Sequence, residues 1–211
     1  MKLLTVGDSF TYGEELVDIN NAWPYLLGKQ INYEVTNLGS PGCSNNHMIR
    51  NVIENADKHD LIIIAWSHFA RLEVSDENGT YDLWPGGSGV FFTGELKYRK
   101  ELMNYVNRHH NDEYLYNQYT TNIVLVQKYL ESKGKRYIMV DTFGNHQAKQ
   151  RQSNGLISQV NDQYYIGWPT ESMMEWTYKT PQGPAGHFLE EGHQKVAEKI
   201  NEHIRNIGWV S

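Results

Sequence analysis

Six consecutive residues, Leu61-Ile62-Ile63-Ile64-Ala65-Trp66, leave this chain few folds to choose from. Successive side chains of a strand point to opposite faces, so a run that is apolar at every position must be covered on both. A central strand of a parallel sheet, with helices packed on either side, meets that demand. The run is also the longest apolar stretch in the sequence, far short of the roughly 20 residues a membrane helix needs, so no membrane association is expected.

The rest of the chain supplies matching pieces. Lys2 to Val6 is a shorter apolar run that ends in Gly7-Asp8-Ser9; Tyr33 to Leu38 and Arg136 to Val140, which ends at Asp141, are further strand candidates. Between them, Ala22 to Gln30 carries Trp23, Tyr25, Leu26 and Leu27, with Asn20 or Asn21 as its expected cap. Asn45 to Ala56 has Met48, Ile49, Val52 and Ile53 at helical spacing. A long helical stretch from Arg99 to Ser132 is expected to break near His109 to Asp112 and to close at Gly134. Glu190 to Ile204 places Val196, Ala197, Ile200 and Ile204 on one face. Strands alternating with helices predict an α/β fold with one doubly wound, central parallel sheet. Two stretches lack this pattern: Glu73 to Leu96 reads as a surface excursion, and Thr142 to Pro184 as loops covering a site. At 211 residues the chain suits one domain spanning 1–211.

Charge and residue counts exclude several functions. A net charge of −6 with no basic cluster argues against nucleic acid as a partner. The lone Cys43 excludes an internal disulfide, fits a reducing compartment, and reads as a small buried hydrophobe. The N-terminus opens directly into a strand pattern without a signal peptide, so a soluble, cytoplasmic protein is expected. His109, His110, His146 and His187 show no helix-facing ligand spacing, so neither a metal nor another cofactor is expected. The 14 Tyr and 6 Trp, concentrated between Tyr81 and Tyr178, suit either a carbohydrate-stacking surface or an ordinary core.

Chemistry enters at Gly7-Asp8-Ser9-Phe10, where a buried strand turns into a loop and presents the Ser9 hydroxyl beside free backbone N–H groups. A serine needs a base within hydrogen-bond reach before it attacks anything. The string GDSFTYGEEL resembles the first block of the SGNH (GDSL-type) hydrolases, a family of esterases, lipases, thioesterases and carbohydrate deacetylases. The resemblance implies a flavodoxin-like three-layer α/β/α sandwich with Ser9 as nucleophile and its N–H in an oxyanion hole. Asn37-Leu38-Gly39-Ser40-Pro41-Gly42 looks similar to the second block, with Gly42 the better match for the oxyanion glycine and Gly39 the fallback.

Two blocks depart from the pattern. After the central strand, Ser67 stands where the family has an asparagine that donates to the oxyanion; Ser67, His68 and Arg71 are the candidates to replace it. GHFLEEGHQKVAEKI matches the end of the family, which implies His187 as base and His193 as a structural residue opening the last helix. The aspartate that belongs three residues before the base is Pro184. A Ser9–His187 dyad then remains, supported by a backbone carbonyl or by a displaced acid; Asp141, Glu190 and Glu191 are the candidates, with Asp8 also at hand. The expected activity is hydrolysis of a small acyl ester on a small-molecule or sugar-like alcohol. A glycan- or nucleotide-binding protein that has lost catalysis, and an acyltransferase with the same nucleophile, are the alternatives.

Overall fold

The computed structural model describes residues 1–77, 79–84, 91–92, 101, 104, 108, 111–145 and 155–210. The apolar six form β3 (Leu61–Trp66), buried at every position. Around it lie β1 (Lys2–Gly7), β2 (Glu34–Gly39), β7 (Arg136–Asp141) and β8 (Tyr165–Ile166), in the order β2-β1-β3-β7-β8 with all pairings parallel. Alternation along β3 divides the core. Leu61, Ile63 and Ala65 pack with Trp23, Leu27 and Ile31 of α2 (Trp23–Ile31) and with Val196, Ala197, Ile200 and Ile204 of α6 (Glu190–Asn206). Ile62, Ile64 and Trp66 pack on the other face with Met48 and Val52 of α3 (Asn45–Asn55) and with Tyr116, Tyr119, Ile123, Val126 and Leu130 of α4 (Asp112–Ser132). This is the expected three-layer α/β/α arrangement, and each fully buried isoleucine of β3 contributes about 1.5–3 kcal/mol to it.

Helix ends follow local chemistry, with one correction. Neither Asn20 nor Asn21 caps α2: Ile19–Asn21 is a separate 3₁₀ turn opened by Asp18, and Ala22 stands at the helix N-cap without a side-chain bond. The Trp23 N–H is instead taken by the buried His193 Nδ1 at 3.1 Å, which ties α6 to the start of α2. For α4, Asn111 accepts from the Tyr114 N–H, inside the expected break, and Gly134 at φ +64° ends the helix as expected. His109, His110 and His146 lie outside the described residues.

Two stretches without periodicity hold structure after all. Leu72–Asp76 (β4), Gly79–Trp84 (β5) and Phe91–Phe92 (β6) form a three-stranded antiparallel sheet, and Asp82 and Leu83 are buried, so the region is more than a surface excursion. Its strands are short, and the face that carries Glu73 and Asp82 packs through Arg50 and His47 against α3, so a polar face is covered and the segment reads as a loop. Within 142–184, β8 and the short helix α5 (Met173–Thr177) seal the sheet and the α6 face.

Burial pulls the His193 pKa down to about 3. Between that value and the ordinary histidine range the unfolded chain binds a proton that the native state refuses, so stability falls as pH drops through this window. The contribution reaches roughly 1.4 kcal/mol per pH unit. Thermal midpoints measured from pH 7 to pH 4 are expected to fall more steeply in the wild type than in His193→Gln; parallel slopes would remove His193 as the source.

Candidate active site

The chain leaves β1 toward β2 on one side and later crosses to β3 on the other, so the carboxyl ends of β1 and β3 flank the crevice where open α/β sheets bind ligands. Ser9 sits at that point. Asp8 Oδ1 accepts from the Phe10 N–H at 3.1 Å and caps the one-turn helix α1 (Ser9–Tyr12), which Gly13 ends at φ +93°. His187, on the loop ahead of α6, places its Nε2 2.9 Å from Ser9 Oγ.

The acid on the other side of the imidazole is one that sequence reasoning missed. Glu15 Oε2 lies 2.8 Å from His187 Nδ1 and also accepts the His187 N–H at 3.1 Å, while Oε1 accepts the Ala185 N–H at 2.8 Å. A carboxylate only accepts, so Nδ1 carries the ring hydrogen and Nε2 is left to accept the serine hydroxyl. Glu15 has φ +70°, a left-handed conformation rare for a residue with a side chain, and it follows directly from the reversal that Gly13 begins. The Ala185 N–H is the main cause holding the Glu15 carboxyl below its usual range, against partial desolvation, with His187 adding to the lowering. Glu14 stands farther out, 3.5 Å from His187 Nε2.

None of the acids expected from sequence reaches the base. Asp141 is buried and accepts from Tyr119 Oη, from Tyr165 Oη at 2.7 Å and from Asn145 Nδ2 at 3.2 Å. Glu190 and Glu191 are exposed in the first turn of α6. Asp8 is fully buried, and its Oδ2 accepts the Ser67 hydroxyl at 2.9 Å.

That last bond also decides the fate of Ser67, which is fully buried with its one hydroxyl proton committed to Asp8. The Gly39 N–H is likewise committed, to Asn37 Oδ1 at 2.9 Å. Gly39 is a glycine for another reason: a Cβ there would stand 2.4 Å from the Tyr12 nitrogen, so the end of β2 could no longer lie against α1. Two N–H groups are left. Among the described residues neither the Ser9 nor the Gly42 N–H meets an acceptor, and Gly42, at φ +77°, occupies a turn that a side chain would strain. Two further asparagines unnoticed in the sequence pin the loop after β3. Asn45 bonds the Ser67 N–H and the His68 carbonyl, and Asn145 bonds the Phe69 N–H and the Ser67 carbonyl.

An aromatic wall runs from the histidine outward: Phe10 lies 4.7 Å from the His187 ring centroid and 5.6 Å from Phe143, and Phe143 lies 5.8 Å from Trp84. His68 stacks on Phe69 and approaches Trp84 at 5.8 Å. Arg71 is buried beneath this wall, its guanidinium 5.0 Å from the Trp84 centroid and 5.3 Å from that of Phe143. Arg71 Nη1 donates to the Cys43 carbonyl at 3.3 Å and lies 3.6 Å from Asp8 Oδ2. Behind the Gly42 turn, Cys43, His47 and Asp82 bring their ligand-type atoms within 4.8 Å of one another. Asp82 there accepts from the Ser44 N–H at 2.8 Å and pairs with His47 Nδ1 at 3.0 Å, while burial pushes the Cys43 thiol up and keeps it protonated. This grouping clamps the turn.

Solved structures of low sequence identity share this architecture. The protein named TesA superposes with a TM-score of 0.60 at 15% identity over 98% of this chain and 99% of its own. A member of the lipolytic protein G-D-S-L family from Veillonella parvula gives 0.51 at 17% over 96% and 97%. The chain has the SGNH hydrolase fold. A carbohydrate esterase family 2 enzyme of Myceliophthora fergusii, which carries an additional carbohydrate-binding domain, gives 0.58 at 12% over 99% of this chain and 67% of that one. No family model and no curated protein sequence matches the chain. Among the described residues no helix is long and apolar enough to cross a membrane.

Proposed function

We propose that this protein is a serine ester hydrolase in which Ser9, His187 and Glu15 act as nucleophile, base and orienting acid. The observation that carries the reading is the unbroken hydrogen-bond chain from Ser9 Oγ through both ring nitrogens of His187 to Glu15. Ser9 Oγ attacks the acyl carbonyl carbon as its proton passes to Nε2, Glu15 stabilises the imidazolium, and the Ser9 and Gly42 N–H groups receive the oxyanion. Collapse expels the alcohol with the proton from Nε2; a water activated by the same nitrogen then frees the acid.

The aromatic wall around His187 favours a small acyl group on a sugar-like alcohol, and a carbohydrate esterase among the structures of this fold agrees with it. A binding protein that had shed catalysis would be favoured by an imidazole without an acid, and Glu15 removes that argument. Acyl transfer uses the same nucleophile and differs only in the acceptor, so product analysis with added alcohol separates it from hydrolysis.

The test is labelling by a fluorophosphonate probe. Folded wild type is expected to react stoichiometrically at Ser9, Ser9→Ala not at all, and His187→Ala at least a thousandfold more slowly, a loss on the scale of the serine-protease triads. Absence of labelling in folded wild type would refute the proposal; labelling would lead directly to a comparison of acetyl with long-chain esters.

A further inference from the structure

We propose that Arg71 supplies the positive charge of the oxyanion site, in place of the side-chain donor that Ser67 cannot be; this rests on the hydrolase reading above. The residue bridges the two backbone segments that carry the oxyanion donors. Its Nη1 bonds the carbonyl of Cys43, the residue after Gly42, and lies 3.6 Å from the carboxylate of Asp8, the residue before Ser9. A guanidinium there is held beside the place where charge develops.

Its surroundings make the charge count. The Arg71 side chain is 5% exposed and covered by Trp84 and Phe143, so solvent does little to screen it. Among the described residues the buried Arg71 Nε meets no acceptor, so a donor of the guanidinium group is left over after the Cys43 bond. Among the described residues the Asp8 carboxylate is its ion-pair partner at 3.6 Å, beyond hydrogen-bond distance, and is itself engaged by the Ser67 hydroxyl and the Phe10 N–H. The cation is therefore incompletely neutralised in the resting protein, and a negative oxygen between Ser9 and Gly42 would complete the balance. During attack the carbonyl π pair moves onto that oxygen as the Oγ–C bond forms and the serine proton goes to His187. The cation attracts the new charge without taking or giving a proton.

The test uses Arg71→Gln and Arg71→Lys. With p-nitrophenyl acetate, Arg71→Gln is expected to lose about 10²–10³ in kcat with KM within threefold, because the charge favours the transition state over the bound ester. Arg71→Lys, which keeps the cation, should stay within about tenfold of wild type. Equal losses in both variants, or a kcat within threefold of wild type in Arg71→Gln, would overturn the proposal. Should Arg71→Gln not fold, Arg71→Lys alone decides: a hundredfold loss overturns it.

A readout independent of the nucleophile separates this proposal from the hydrolase reading. Ethylphosphonate binding to Ser9→Ala protein, measured calorimetrically, is expected to weaken at least tenfold in Ser9→Ala/Arg71→Gln. Failure of wild type to take the fluorophosphonate would end the hydrolase reading and leave Arg71 to be judged by this titration. Undetectable ethylphosphonate binding, or equal binding in the two proteins, would end the Arg71 proposal even in an enzyme whose Ser9 is labelled.

Discussion

Replacing Glu15 with glutamine is expected to lower kcat on a short-chain ester by about 10²–10⁴ while the thermal midpoint stays close to that of wild type. A glutamine fills the same space: its carbonyl at the Oε1 position still accepts from Ala185, and its amide at the Oε2 position leaves the His187 N–H without that acceptor, a loss of about 1 kcal/mol. Its amide can also donate to Nδ1, which moves the ring hydrogen to Nε2 and leaves no lone pair for the Ser9 proton. The negative charge that stabilises the imidazolium is lost as well. Steady-state kinetics beside a melting curve checks both halves of the expectation. A variant with more than a third of wild-type kcat would show that His187 keeps its tautomer without Glu15, and the site would then be the Ser–His dyad that the sequence first suggested.

Asp8→Ala is expected to cost about 3–5 kcal/mol of stability, whereas Arg71→Gln costs markedly less. The asymmetry follows from what each partner does when left behind. Without Arg71, the buried Asp8 carboxyl can take up a proton and remain as a neutral acid, a state toward which burial already pushes it. Without Asp8, the guanidinium cannot shed its charge and stays buried with no counter-ion, while the Ser67 hydroxyl and the Phe10 N–H lose their acceptor. Urea unfolding of both variants measures the difference, and equal losses would mean that the Asp8–Arg71 pair carries no buried charge.

The sheet was legible because β1, β3 and β7 are short, largely apolar runs at positions that alternation with helices demands, and the mixed run of β2 is stopped by a turn-forming Gly-Ser-Pro-Gly. Leu61 to Trp66 is a strand to the residue in both readings. The β4–β5–β6 sheet was not legible: Leu72, Val74, Tyr81 and Leu83 alternate over only a few residues amid Asp, Asn and Gly, and the face that holds Glu73 and Asp82 is covered through polar contacts with α3. Ser9 stood out because a buried strand ends there, whereas Gly42 and His187 were singled out by their resemblance to the family's second and last blocks; the fold brings His187 Nε2 to 2.9 Å from Ser9 Oγ. Glu15 was not legible, the candidates being Asp141, Glu190, Glu191 and Asp8; the relevant signal was a glycine followed by two glutamates directly after the serine turn, where the reversal at Gly13 carries the second of them back to the histidine. Ser67 was read as a donor because its identity was visible and its partner was not; the bond to Asp8 spans elements that only the folded chain brings together.

Ser9 and Glu15 belong to one short segment anchored on β1, and the histidine arrives on a loop of its own. That loop is held to Glu15 three times, through the Ala185 N–H, the His187 N–H and the imidazole. Docking the loop and setting the tautomer of its ring are therefore one event, as in an interlock whose bolt also closes the circuit. An excursion of the loop that breaks these bonds takes the imidazole away from Glu15 and from the Ser9 hydroxyl at the same moment.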